Sequence, residues 1–129
     1  MTYTELYVIA ESSTNHVNNV KLMEYLDEAR KEWYGYCILH GVEAVVVHIS
    51  VNYKKEVFHD NKLTIRTVLE RVGNSSFTLM QTMINDKTEL VVSAEVVLAV
   101  INRQMRTKTR VPYEVRCLLD KNSPLNVNH

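Results

Sequence analysis

Polar and apolar residues alternate from the start of the chain. Thr4, Leu6, Val8 and Ala10 fall on one side, and Tyr3, Glu5, Tyr7 and Ile9 on the other. A period of two predicts a strand over residues 3–10. A polar loop follows, ESSTNHVNN, from Glu11 to Asn19. The period then changes. Leu22, Leu26, Ala29, Trp33 and Cys37 recur at steps of three and four, which predicts one amphipathic helix from about Val20 to Ile38. Asn18 or Asn19 can cap its first turn, and Gly41 suits its exit. Asp27 precedes Lys31 by one helical turn on the outer side.

The period of two then returns. Val45, Val47, Ile49, Val51 and Tyr53 share one side, with Val46, His48, Ser50 and Asn52 opposite. Phe58 to Asn61 reads as a turn. Leu63, Ile65, Thr67 and Leu69 alternate along the next strand, and Phe77, Leu79, Gln81 and Met83 along the one after. Gly73-Asn74 is a hairpin signal, because both residues tolerate positive φ. Asn85-Asp86-Lys87 turns again. Leu90 to Ile101 is apolar on both sides, which predicts a central or interface strand. Val111-Pro112-Tyr113-Glu114 can open a short helix, and a polar tail from Lys121 is expected to fray. Short turns between the later strands make them antiparallel. One helix with an apolar face then needs a sheet to lie across.

Composition narrows the class. The 129 residues fit a single domain spanning 1–129, and 46% hydrophobic residues supply a core. Lys plus Arg equals Asp plus Glu at 15 each, so net charge points to neither nucleic acid nor membrane. MTYTELYVIAESS lacks a basic stretch and turns polar too early for an export signal. No apolar run reaches membrane-spanning length. The two cysteines, Cys37 and Cys117, are expected to be reduced in a cytoplasm.

The combination resembles a known family. His16-Val17-Asn18-Asn19, Glu24-Tyr25-Leu26 and Glu28-Ala29-Arg30 carry the resemblance, followed by Asn52-Tyr53-Lys54-Lys55, Asp60 and Leu63-Thr64-Ile65. These are similar to hotdog-fold acyl-CoA thioesterases, in the 4-hydroxybenzoyl-CoA thioesterase-like family and its long-chain acyl-CoA subgroup. The resemblance implies an α+β hotdog fold, a five-stranded antiparallel sheet wrapped around one long helix. It also implies a homo-oligomer, a dimer and possibly a tetramer, with active sites between subunits. The substrate would be an acyl-CoA or an acyl-carrier-protein thioester, and no cofactor is expected. In that family an Asp four residues before the His acts as nucleophile or general base. Here that position is Ser12. The Tyr often found three residues after Asn19 is Leu22, and the Gly before the His is Asn15.

Thioester hydrolysis needs an activated water or nucleophile, and donors for the carbonyl oxygen. The resemblance puts the donor at the backbone N–H of Asn19, or its neighbour Asn18, at the helix start. Asn19 is otherwise simply a cap. Ser12 has no basicity but can hold a water. Glu11 has a carboxylate, yet neighbours on a strand face opposite sides, so it serves only if the loop re-aims it. His16 is a second candidate base, because an unperturbed imidazole changes charge near neutral pH; it is otherwise a loop-packing residue. Asn15, Asn18 and Tyr25 are candidate substrate contacts, and Trp33, Tyr25 and Met23 are candidate acyl-channel residues or plain core. Arg103, Arg106, Lys108 and Arg110 form a basic run without an acid, suited either to coenzyme A phosphates or to solvent. Lys54 and Lys55 pose the same alternative. His40, His48 and His59 lack metal-ligand spacing, so no metal is expected. Two functions follow: hydrolysis of the thioester to acid and thiol, or a non-catalytic module that binds the thioester because Ser12 replaces the acid.

Overall fold

Strand periodicity and short turns build one sheet in the computed structural model, which describes residues 1–126. In chain order the elements are β1 Tyr3–Ile9, α1 Asn19–Ala29, α2 Lys31–Leu39, β2 Glu43–Tyr53, β3 Lys62–Val72, β4 Ser76–Asn85, β5 Leu90–Ile101 and α3 Tyr113–Cys117. The five strands are antiparallel in the order β1-β3-β4-β5-β2. The helical segment packs its apolar face on the sheet, with Leu22, Leu26, Ala29, Trp33 and Cys37 all buried. The inward rows of β3 (Leu63, Ile65, Thr67, Leu69) and β4 (Phe77, Leu79, Gln81, Met83) are buried as the alternation predicts. This is the expected hotdog arrangement.

The single long helix is in fact broken at Arg30. Leu26 C=O should accept from the N–H of Arg30 four residues on. It accepts instead from Gln81 Nε2 on β4, at 2.9 Å, and Arg30 N–H turns to Asp27 C=O at 3.0 Å. A side chain inserted into the ladder is a known cause of such a break. Arg30, only 4% exposed, then sends its guanidinium to Gln81 Oε1 (2.8 Å), Tyr34 Oη (2.9 Å) and Asp27 Oδ1 (3.3 Å). Gln81 Nε2 also donates to Thr67 Oγ1 at 3.1 Å.

Other expectations are corrected. Strand β2 does not keep one phase: a bulge between Val46 and His48 inserts an extra residue. Ala44 is buried before it, Ile49 and Val51 pack on the core after it, and Val47 is 59% exposed on the sheet edge. Gly73-Asn74 uses no positive φ; that region is taken by Gly41, Asp60, Thr88 and Arg106. Gly73 N–H closes the β3–β4 turn on Ser76 C=O at 2.7 Å. The end of β5 gains a further backbone partner within the chain, as Thr109 N–H pairs with Val100 C=O and Ile101 bridges Lys108. The tail is not wholly frayed. Leu125 N–H bonds Tyr3 C=O at 2.8 Å and its side chain is buried; residues 127–129 lie outside the described residues. Both cysteines are free. No helix among the described residues is long and apolar enough to cross a membrane.

Candidate active site

The polar loop is fastened to the β2–β3 connection, residues far away in sequence. Ala10 N–H bonds Asn61 C=O (2.8 Å), Asp60 N–H bonds Ala10 C=O (2.7 Å), His59 N–H bonds Asn15 C=O (2.7 Å) and Val17 N–H bonds Val57 C=O (2.9 Å). Ala10 and Val17, both buried, anchor the loop at its two ends. Two side chains hold the intervening peptides. Tyr25 Oη accepts from Glu11 N–H at 3.0 Å, and His59 Nδ1 accepts from Ser12 N–H at 3.0 Å. Inside the loop Ser12 Oγ donates to His16 C=O (2.7 Å) and accepts from Thr14 N–H (3.2 Å).

The helix starts at the loop's end. Asn18 caps it: Oδ1 accepts from Lys21 N–H (3.0 Å) and its carbonyl from Leu22 N–H (3.2 Å). A helix start leaves four donors without intrahelical partners. Of these the cap satisfies Lys21 N–H, and in the first turn the N–H groups of Asn19 and Val20 meet no acceptor among the described residues. They carry the positive end of the helix dipole.

Two recesses flank this start. One, about 720 Å³ and open, is lined by Glu11, Ser12, Ser13, Asn18, Val20, Lys21, Glu24 and His59. The other, about 280 Å³, is lined by His16, Asn19, Tyr53, Lys54, Lys55, Glu56 and the apolar Val17, Leu22 and Val57. The candidates therefore divide, Glu11, Ser12 and Asn18 on one side of the helix start and His16 and Asn19 on the other. Glu11 lines the first recess, and its carboxylate has no hydrogen-bond partner among the described residues. His16 packs edge-on to Phe58 (centroids 6.5 Å apart) and sets Nδ1 at 3.9 Å from Glu56. Asn15 contributes its carbonyl to the loop rather than its side chain to either recess.

Several candidates are placed elsewhere. Tyr25 is buried and lines neither recess; its hydroxyl holds the loop. Trp33 is core, with Nε1 on Thr4 Oγ1 at 2.9 Å, and Met23 faces a groove on the outer side of α1. Arg103, Arg106 and Arg110 follow the C-terminal end of β5, which pairs with the start of β2. The loop lies at the other end of both strands, roughly 30–35 Å away for strands of this length. Within one chain the basic run and the loop do not meet. Arg106 bonds Glu43 at 2.9 Å. Lys55 is paired with Glu89, and this contact holds the Glu89 carboxyl below its ordinary value. His59 is the residue that sequence spacing missed. No three acidic, His or Cys side chains cluster for a metal among the described residues.

Known proteins are similar to this chain in sequence and in fold. A family model described as the thioesterase-like superfamily matches residues 12–119. The long-chain acyl-CoA thioesterase FadM of Escherichia coli (strain K12) is 28% identical over 105 residues, covering 77% of this chain and 79% of FadM. Among solved structures, DHNA-CoA thioesterase from Staphylococcus aureus superposes with a TM-score of 0.72 at 19% identity, over 85% of this chain and 81% of that one. A second S. aureus protein, solved in complex with CoA, gives 0.80 at 14% identity, over 97% and 88%. At these identities the structural likeness carries the fold alone.

Proposed function

Because the chain belongs to the thioesterase-like superfamily, we propose that it hydrolyses an acyl-CoA thioester to a free acid and a thiol. The observation that carries this reading is the pair of unpartnered N–H groups of Asn19 and Val20, residues that line the two recesses beside the loop. Donors fixed before reaction stabilise the oxyanion without reorganisation, which is worth about 3–4 kcal/mol per donor in comparable sites. The thioester lies across the helix start. Its carbonyl oxygen faces these donors, and the acyl group enters the smaller recess against Val17, Leu22 and Val57. Glu11 is the base: its free carboxylate shares a recess with Val20. It takes a proton from water as the water oxygen attacks the thioester carbon. The tetrahedral intermediate collapses, the C–S bond breaks, and the proton returns to the thiolate.

Ser12 is a loop residue in this reading, since its hydroxyl is already given to His16 C=O. His16 acts through that same carbonyl and its packing on Phe58. The substrate class rests on the family and on the name of the E. coli relative. The second copy of the chain completes the site. Strand β2 is a sheet edge with Val46 and Val47 exposed. Antiparallel pairing of two β2 edges would carry the second copy's basic run toward Tyr53 and Lys54, where coenzyme A phosphates need cations.

A non-catalytic binding module is the second reading, favoured by Ser12 in place of an acid and by the commitment of its hydroxyl. Thiol release from acyl-CoAs of graded length decides between them. Glu11→Gln should lower kcat by about 10²–10⁴-fold with little change in KM, and His16→Gln should cost less. Wild type that binds acyl-CoA and releases no thiol above background would establish the binding module instead.

A further inference from the structure

We infer that His59 is a positioning residue for the base, a neutral imidazole whose Nδ1 lone pair fixes the Glu11–Ser12 segment against the helix start. The inference rests on the thioesterase reading for its catalytic consequence, and on geometry for the latch itself. Ser12 N–H donates to Nδ1 at 3.0 Å, so that nitrogen carries no proton and the ring proton sits on Nε2. There it faces Asp60 Oδ1 at 3.3 Å. The carboxylate thus selects the tautomer that leaves Nδ1 free to accept.

The turn that carries His59 is itself constrained. Phe58 N–H bonds Asn61 Oδ1 (2.9 Å), Asn61 N–H bonds Phe58 C=O (3.1 Å), and His59 N–H is tied to Asn15 C=O. Asp60 takes φ 70°, a conformation Asp tolerates better than most residues. The imidazole is therefore held from its own backbone and reaches across to the loop. Together with Tyr25 Oη on Glu11 N–H, it secures two successive peptides from two different elements. Position 12 is the peptide next to the proposed base.

Protonation reverses the latch. An imidazolium carries N–H at both nitrogens, so Nδ1–H and Ser12 N–H would confront each other as two donors. The charged groups around the ring are Asp60 on its own turn, Glu11 on the loop, and Lys21 and Glu24 on α1, which line the same recess. The ring stays paired with Asp60 while the 11–12 peptides lose their acceptor. Glu11 then leaves its working position as pH falls.

The test compares wild type, His59→Asn and His59→Ala in thiol release from an acyl-CoA between about pH 8 and about pH 5, the interval in which histidine changes charge. Wild type should lose kcat toward the acid end with KM little moved. His59→Ala should lower kcat by about 10²-fold at the alkaline end, the scale of a small misplacement of a reacting group. His59→Asn offers an amide oxygen near the Nδ1 position and does not titrate. It should recover most of that loss and flatten the acid side of the profile relative to wild type. His59→Asn as inactive as His59→Ala at the alkaline end, or still showing the full acid loss, would overturn the inference. A second measurement is independent of activity: the ¹⁵N shifts of the His59 ring and the Ser12 amide, followed through the same pH interval. An unprotonated Nδ1 and a Ser12 amide that moves with the His59 titration support the latch even if no acyl-CoA is hydrolysed, in which case only the thioesterase reading fails. A protonated Nδ1, or a Ser12 amide indifferent to the titration, overturns the latch even in an active enzyme.

Discussion

Replacing Gln81 by Leu should destabilise the protein more than any cavity argument would suggest, because the volume is nearly kept. Gln81 is fully buried. Its amide serves three partners: the Leu26 carbonyl, Thr67 Oγ1 and the Arg30 guanidinium. A hydrogen bond to a charged group is worth about 1.5–3 kcal/mol, and each polar group left buried and unpaired costs about 1–3 kcal/mol. Arg30 retains Tyr34 and Asp27, and the half-exposed Asp27 lets water share that end, so the contributions do not simply sum. A loss of about 3–5 kcal/mol is expected, against a total of about 5–15 kcal/mol for an ordinary domain. Urea unfolding followed by circular dichroism should then show a midpoint lower by roughly 2 M, using a slope of about 2 kcal/mol per molar. Arg30→Met in the Gln81→Leu background removes the stranded charge as well, so the double variant should be less damaged than the two single losses added together. A Gln81→Leu protein within about 0.5 kcal/mol of wild type, or singles that add without coupling, would refute the claim that this network holds the helix break to the sheet.

Three further outcomes can be checked. Burial lifts the Cys37 thiol from 9.0 to about 12, so native protein should alkylate at Cys117 alone and take a second label only when unfolded, as mass spectrometry would record. The same shift fixes a sign. The folded state holds this proton more tightly than the unfolded chain, so its contribution is intact below pH 9 and is lost as pH rises toward about 12. Sedimentation should give about twice the 15.0 kDa chain mass, and Val47→Lys on the β2 edge should shift it toward the monomer. If two copies complete the site, Arg106→Ala with Arg110→Ala should raise KM for acyl-CoA and leave a thioester lacking the nucleotide unaffected; equal effects on both would make the run mere surface.

What could be read from the chain was whatever a period encodes. The inward rows of β3 and β4 and the buried stripe from Leu22 to Cys37 follow directly from steps of two and of three to four. The helix break at Arg30 does not, because it is made by Gln81, and nothing local to Leu26 announces that a side chain on β4 will take its carbonyl. The bulge at Val47 was hidden for a related reason: Val45 to Val47 are all valine, so no polar residue marks where the phase slips. At the site, the loop and its cap were legible from His16-Val17-Asn18-Asn19. His59 was not, because its role depends on the pairing of residues 10–17 with 57–61, and long-range pairing of irregular segments has no period to detect. The basic run was legible as charge, but its distance from the loop is set by strand direction in the folded sheet.

Ser12→Asp brings these threads together, since it restores a carboxylate where the family has one, inside a loop built around a hydroxyl. Ser12 Oγ donates to His16 C=O at 2.7 Å. A carboxylate cannot donate there, so two acceptors would face each other and the side chain must rotate. The lost bond is worth about 0.5–1.5 kcal/mol. Two features offset it: Thr14 N–H already points at the position 12 side chain, and the helix start favours an anion by about 0.3–1 kcal/mol. Folding should therefore suffer little, by about 1 kcal/mol or less on these terms. The chemical effect adds to that of Glu11, which already supplies a base, so it stays below the roughly 10²–10⁴-fold that a base contributes to a site lacking one, and the oxyanion donors of Asn19 and Val20 do not depend on residue 12. Ser12→Asp should thus raise kcat for thiol release while lowering the midpoint of thermal unfolding by only a few degrees. A folded Ser12→Asp protein no faster than wild type would mean that attack in this loop is not directed from position 12, leaving Glu11, latched by Tyr25 and His59, as the carboxylate that the recess was built to present.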